Sequence, residues 1–206
     1  MVIAKAPVAG RVKTRLTPPC TPAQAARLAR AALLDTLAAG ARATGAGRRV
    51  LALDGEPDGW LPAGWEVVEQ RGDGLAERLG HAFADVGGPA LLVGMDTPHA
   101  SAGELDAGLA ALARSDAVFG PATDGGYWAI GLREPDGAVF AGVPMSRAHT
   151  GAVQRARLDR LGLRAAELPA LLDVDDIADA RAVARQAPGS RFAAELARIE
   201  LSLAAA

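Results

Sequence analysis

Met1-Val2-Ile3-Ala4-Lys5-Ala6-Pro7-Val8-Ala9-Gly10-Arg11-Val12-Lys13-Thr14-Arg15-Leu16 opens as an apolar run and passes directly into a loop with four cations. The apolar residues read as a strand, and Gly10 gives the loop a backbone free to take positive φ. Twenty of the 22 basic residues are Arg; the only two lysines, Lys5 and Lys13, both fall here. Lysine presents a compact point charge suited to phosphate. The alternative is solvated charge beside a chain start, but no acid lies within the segment to balance it. A strand running into a cationic loop is the first unit of an α/β fold whose ligands sit beyond strand ends.

Working outward, short apolar runs alternate with longer helical patterns, which predicts a mostly parallel sheet flanked by helices. Strands are expected near residues 1–6, 49–54, 65–69, 89–94, 116–120 and 127–132. Thr21-Pro22-Ala23-Gln24 offers an N-cap, a proline at the first helical position and a Gln that completes a capping box. That helix is expected to run to about Thr44, before Gly45 and Gly47. A second follows Gly72-Asp73-Gly74 over 75–85, and a third opens at Ser101 with Glu104 as its box partner. After the turn Glu134-Pro135-Asp136-Gly137, a helical pattern covers 150–161 and 164–168 could add a strand. Asp176 can cap a helix from Ile177, and a last helix spans about 191–203. The whole of 1–206 reads as a single domain.

Half of the 206 residues are hydrophobic but only 4% aromatic, so the core should be aliphatic, with Ala-rich helices packed closely. A net charge of −2 gives no general attraction to nucleic acid or anionic lipid. The single Cys20 excludes an internal disulfide and a multi-thiolate metal site. No signal peptide or membrane-length apolar run is visible, and the expected setting is the cytoplasm.

Four segments are expected beyond strand ends: Lys5 to Arg15, Gly94-Met95-Asp96-Thr97-Pro98, Gly120-Pro121-Ala122-Thr123-Asp124-Gly125-Gly126-Tyr127, and Asp173-Val174-Asp175-Asp176. Asp96 would be held at a strand tip by the stiff Thr97-Pro98 turn. It suits Mg²⁺ or Mn²⁺, which take one or two carboxylates plus phosphate oxygens; an Asp that merely caps the turn is the other reading. Asp173 and Asp175 are expected to point to opposite sides of an extended stretch, leaving one, Asp175, in the cleft as a second carboxylate. Helix capping by the Asp run is its alternative. Asp124-Gly125-Gly126 permits close approach to a ligand and makes Asp124 a candidate acceptor-binding residue or general base, unless the segment is an ordinary tight turn. Tyr127 or Trp128 belongs to the core. His81, His99 and His149 show no metal-ligand spacing, though Met145 to Thr150 could close over a substrate. The cationic loop lacks the glycines of a Walker motif, and no G-x-G-x-x-G is present.

Together these four motifs resemble the small bacterial GT-A-type glycosyltransferase-like family, some members of which are linked to arsenosugar biosynthesis. That family is similar in turn to the nucleotidyltransferases that make molybdopterin guanine dinucleotide and to 2-phospho-L-lactate guanylyltransferase. The resemblance implies a Rossmann-like nucleotide-diphospho-sugar transferase fold. It implies that Lys5, Gly10, Arg11, Lys13 and Arg15 cradle nucleotide phosphates and that Asp96 and Asp175 hold the metal. Asp124, Gly125, Gly126 and Tyr127 would then meet the acceptor. The chain departs from the family pattern at Asp176-Ile177-Ala178-Asp179 and, before Ser146, in lacking a Trp.

The leading expectation is a metal-dependent glycosyltransferase using a nucleotide-sugar donor and a small-molecule acceptor, with Asp96 and Asp124 catalytic. Nucleotidyl transfer from a nucleoside triphosphate to a phosphorylated small molecule is the nearest alternative. A non-catalytic nucleotide-binding accessory protein is a third, of another class.

Overall fold

A computed structural model describes residues 1–204 of the chain. Seven strands form one sheet: β1 (Val2–Lys5), β2 (Val50–Asp54), β3 (Glu66–Glu69), β4 (Ala90–Gly94), β5 (Ala117–Pro121), β6 (Tyr127–Leu132) and β7 (Ala165–Glu167). Their order is β3-β2-β1-β4-β6-β5-β7. All run parallel except β6, which pairs antiparallel with both β4 and β5. The expected mostly parallel α/β sheet is therefore the observed one. β1, β2 and β4 are nearly continuous aliphatic runs because helices cover both sheet faces.

Six helices return the chain: α1 (Pro22–Arg42), α2 (Leu75–Val86), α3 (Ala102–Leu112), α4 (Thr150–Arg160), α5 (Ile177–Gln186) and α6 (Arg191–Ala204). α1 and α3 start on the capping boxes expected from Thr21 and Gln24 and from Ser101 and Glu104. α5 starts on Asp176 with Asp179 reaching back. α1 stops at Arg42, two residues short of the expected end. There the Thr44 and Gly45 amides turn to the Asp106 carboxylate of α3, at 3.2 and 2.8 Å.

Side chains alternate across the sheet. Val2, Ala4, Leu51, Leu53, Leu91 and Val93 pack against Leu33 and Leu37 of α1 and Leu105 of α3. Leu92, Phe119, Ile130 and Leu132 pack against Leu79 and Phe83 of α2 and Leu158 of α4. Each such burial contributes about 2 kcal/mol of transfer free energy.

A third cluster gathers α1, α5 and α6 around Leu28, Val183, Phe192 and Leu196, and it also takes in Leu16 and Val174. α6 is fastened by Asp35 of α1, whose carboxylate accepts from the Arg191 and Phe192 amides at 3.2 and 2.8 Å and so serves as a cap supplied from another helix.

Candidate active site at the strand ends

The cationic loop leaves β1 after Lys5 and closes in a single 3-10 turn, Thr14–Leu16, whose Leu16 is fully buried. Lys13 takes the left-handed backbone region, φ 47°, at the start of that turn. Its Nζ donates to the Val174 carbonyl and lies 2.6 Å from Asp96 Oδ1. Arg15 meets Asp175 at 2.5 Å. The absence of acids near these cations holds only along the sequence; folding supplies Asp96 to Lys13 and, from 160 positions away, Asp175 to Arg15.

Asp96 follows β4 as expected, and the Val174 amide donates to the Asp96 carbonyl at 2.9 Å, laying 173–175 beside the Asp96 turn. Asp124 sits between β5 and β6, where its Oδ1 accepts from the Gly126 amide at 2.7 Å. Oxygens of Asp124, Asp173 and Asp175 lie within 4.8 Å of one another.

The expectation that Asp173 points away from Asp175 is corrected here. Residues two apart in an extended segment share a side, and the intervening Val174 is the one that turns inward to the helical cluster. Asp173 Oδ1 is buried without a hydrogen-bond partner among the described residues. Burial, followed by the neighbouring Asp124, Asp96 and Asp175, raises its pKa to about 6. A crowded set of carboxylates with an orphaned oxygen is donor chemistry that fits a hard divalent cation. Of the expected metal pair, Asp175 lies in this triad while Asp96 stands on Lys13.

These groups border a cleft of about 880 Å³. Lys5, Arg11, Lys13 and Arg15 line one wall, and Ile3, Leu79 and Leu92 supply apolar floor. Of the residues expected at the site, Gly10 and Gly125 do not line it. Gly10 is an exposed turn residue at φ 78°. Gly125 serves packing: at φ 91° it has no room for a Cβ, which would overlap the Ala148 carbonyl. The Gly151 amide donates to the Gly125 carbonyl at 2.8 Å, so residues 145–151 are docked on the Asp124 turn.

Tyr127 lines the cleft, yet its ring packs 5.6 Å from Phe119. Burial pushes its phenol far above the ordinary range, which keeps it neutral. Trp128 is core, its indole N–H donating to the Pro169 carbonyl at 3.0 Å. No histidine is among the described residues that line the cleft.

Sequence reasoning overlooked Gln70, Arg78 and Arg147. Gln70 follows β3 and donates its amide hydrogens to the Ala4 and Ala52 carbonyls at 2.7 and 2.9 Å. Its Oε1 has no protein partner among the described residues, so a fixed acceptor faces the cleft. Arg78 is held by Asp54 at 2.7 Å. The Gly72-Asp73-Gly74 turn, which brings the start of α2 to the cleft, was the one available signal for both.

A crystal structure of a protein from Desulfovibrio desulfuricans G20, provisionally described as a nucleotide-diphospho-sugar transferase, superposes with a TM-score of 0.86. It is 29% identical over 98% of this chain and 94% of its own. CMP:2-keto-3-deoxy-manno-octonic acid synthetase, solved with CTP, superposes at 0.61 with 14% identity over 91% and 97% of the two chains. Rv0371C of Mycobacterium tuberculosis H37Rv, solved with manganese, superposes at 0.50 with 24% identity over 88% and 95%. The last two likenesses concern the fold alone. No curated protein matches the sequence. The fold is that of nucleotide-diphospho-sugar transferases. A family described as an uncharacterized protein conserved in bacteria, DUF2064, matches residues 25–147, well over half of the sequence, and the chain belongs to it.

Proposed function

We propose that the chain is a metal-dependent transferase that takes a nucleotide-diphospho-sugar donor and passes the sugar to a small-molecule acceptor. The observation that carries this reading is the meeting of Lys13 with Asp96 and of Arg15 with Asp175, at 2.6 and 2.5 Å, beside the acidic triad. Cations and carboxylates of the kinds that bind phosphate and metal thus meet in one cleft.

Lys5, Arg11, Lys13 and Arg15 would bind the diphosphate and neutralise charge that develops on it as it leaves. Asp96, Asp173 and Asp175 would hold Mg²⁺ or Mn²⁺, which when bound supplies Lewis-acid stabilisation of the same oxygens. Asp124 would orient the acceptor hydroxyl and take its proton as the new bond to the sugar forms and the bond to the diphosphate breaks. Gln70 Oε1, an acceptor fixed by two backbone carbonyls, suits an N–H on the nucleobase edge. The proposal covers one domain over 1–206 acting in the cytoplasm, with no nucleic acid or membrane partner. No helix of the described residues is long and apolar enough to cross a membrane.

Nucleotidyl transfer is the second reading, favoured by the likeness to a CTP-bound synthetase. The same cationic wall would serve a triphosphate. Thermal unfolding with Mg²⁺ or Mn²⁺ and either nucleotide sugars or nucleoside triphosphates separates the two, since a preferred ligand raises the midpoint. Asp96→Asn is then expected to abolish metal-dependent turnover in a folded protein. Full activity in that variant removes Asp96 from the mechanism, and stabilisation by nucleotide with no turnover across a broad acceptor screen favours the accessory role.

A further inference from the structure

Arg147 lines the same cleft as the cationic loop but comes from a separate segment of the chain. Across the sheet order β1-β4-β6-β5, the rim presents first the Lys5 to Arg15 loop, then Asp96, then the Asp124 turn between β5 and β6. The segment carrying Arg147 is docked on that turn, through the Gly151 amide on the Gly125 carbonyl and the close approach of Ala148 to Gly125. Arg147 is thus carried at the β5–β6 end of this rim, whereas the cationic loop leaves it at β1.

The Arg147 backbone is held in place. Ser146 takes the left-handed region at φ 57°, an uncommon conformation for a non-glycine residue. The Arg147 amide donates to Thr150 Oγ1 at 2.9 Å, and the buried Thr150 hydroxyl donates onward to the Pro144 carbonyl at 2.7 Å.

The guanidinium itself is exposed and has no ion-pair or hydrogen-bond partner among the described residues, although the residue lines the cleft. Two arginines of α4 differ: Arg155 is paired with Glu167 at 2.7 Å and Arg157 donates to the Ala138 carbonyl at 2.9 Å. Among the other cleft cations, Lys13, Arg15 and Arg78 are paired with Asp96, Asp175 and Asp54. Lys5 and Arg11 belong to the donor wall.

From this placement we infer that the acceptor is an anion, carrying a phosphoryl or carboxyl group that Arg147 grips while the reacting hydroxyl faces Asp124. The inference rests on the proposed donor site. A nucleotide-diphospho-sugar and a divalent cation cancel one another's charge, so filling the donor site leaves the Arg147 guanidinium unanswered. Asp124, the acid proposed to meet the acceptor hydroxyl, stands on the very turn on which the Arg147 segment is docked. The guanidinium fork matches the planar pair of oxygens on a carboxylate or phosphate.

The test is calorimetric titration of the full chain with inorganic phosphate, and separately with malonate, after Mg²⁺ and pyrophosphate have filled the Lys13 wall. Wild type is expected to bind one of these anions saturably. Arg147→Ala should weaken that binding by about tenfold or more and Arg147→Lys should restore part of it. The unliganded melting point should be unchanged, because the side chain is exposed and makes no ion pair or hydrogen bond among the described residues. Preference for phosphate identifies a phosphorylated acceptor and preference for malonate a carboxylic one; either supports the inference. Absence of any such anion site in wild type, or equal affinity in Arg147→Ala, overturns it. Failure of Mg²⁺ and pyrophosphate to bind counts against the donor site instead, and the dependence of phosphate binding on Arg147 is then read without them.

Discussion

Lys13 Nζ lies 2.6 Å from Asp96 Oδ1, with a tenth of the lysine side chain and half of the aspartate side chain exposed. The ammonium that should hold a phosphate and the carboxylate that should hold a metal thus satisfy each other until ligands arrive. Neither ligand can bind fully without releasing a group the other needs, so the two should bind cooperatively. In wild type, Mn²⁺ affinity measured by electron paramagnetic resonance should rise when a nucleoside diphosphate is added. Lys13→Met should bind Mn²⁺ alone at least about fivefold more tightly and lose most of that coupling. Equal Mn²⁺ affinity in the two proteins would show that the pair does not compete with metal.

Asp173 gives a pH signature in metal-free protein. Its pKa is raised to about 6, so between pH 4 and 6 the folded chain holds a proton that the unfolded chain, with an ordinary aspartate, has released. This group therefore favours folding at the acid end of that window, and its contribution is lost as pH rises through 6. Asp173→Asn should flatten the fall in melting temperature over this range and melt higher than wild type at pH 7. Parallel profiles for the two proteins would contradict the assignment.

Gly125→Ala should both strain the backbone at φ 91° and push the Ala148 carbonyl out of place. A cost of at least about 2 kcal/mol is expected, lowering the melting temperature by roughly 5 °C. Because residues 145–151 are docked there, limited proteolysis should cut that segment faster in the variant. Gly151→Ala should behave alike, since a Cβ there would stand 2.5 Å from the Gly126 carbonyl.

Asp35→Ala should strip the cap from α6 and leave the Arg191 and Phe192 amides without their acceptor. The expected loss is about 2 kcal/mol, read as a lower urea midpoint with an unchanged slope. Nucleotide affinity should be unaffected at temperatures where the variant is folded.

Local grammar made much of the fold legible. Three helix starts were written in capping residues, and β1, β2 and β4 announced themselves as buried aliphatic runs. The direction of β6 was hidden, because alternation of strand and helix carries no sign for a strand inserted antiparallel between two parallel neighbours. At the site, single segments were readable and their pairings were not. Nothing near Lys13 in sequence names Asp96, and nothing near Arg15 names Asp175. Asp173 was misplaced although its two-residue spacing from Asp175 carried the right answer. Arg147 sat in a segment already suspected of covering substrate, but that it forms no ion pair among the described residues could be seen only in three dimensions.

Leu16 and Val174 share one buried cluster with Phe192 and Leu196, so the loop that carries Lys13 and Arg15 and the strip that carries Asp173 and Asp175 are clasped by the same helical knot. On the ribosome, the first sixteen residues would have emerged long before the residues that hold them. A nascent or truncated product ending short of Val174 could build most of the sheet and still lack Asp175 and the clasp on the cationic loop. The charged site should thus assemble late and all at once, when the residues from Val174 onward clasp the loop that carries Lys13 and Arg15.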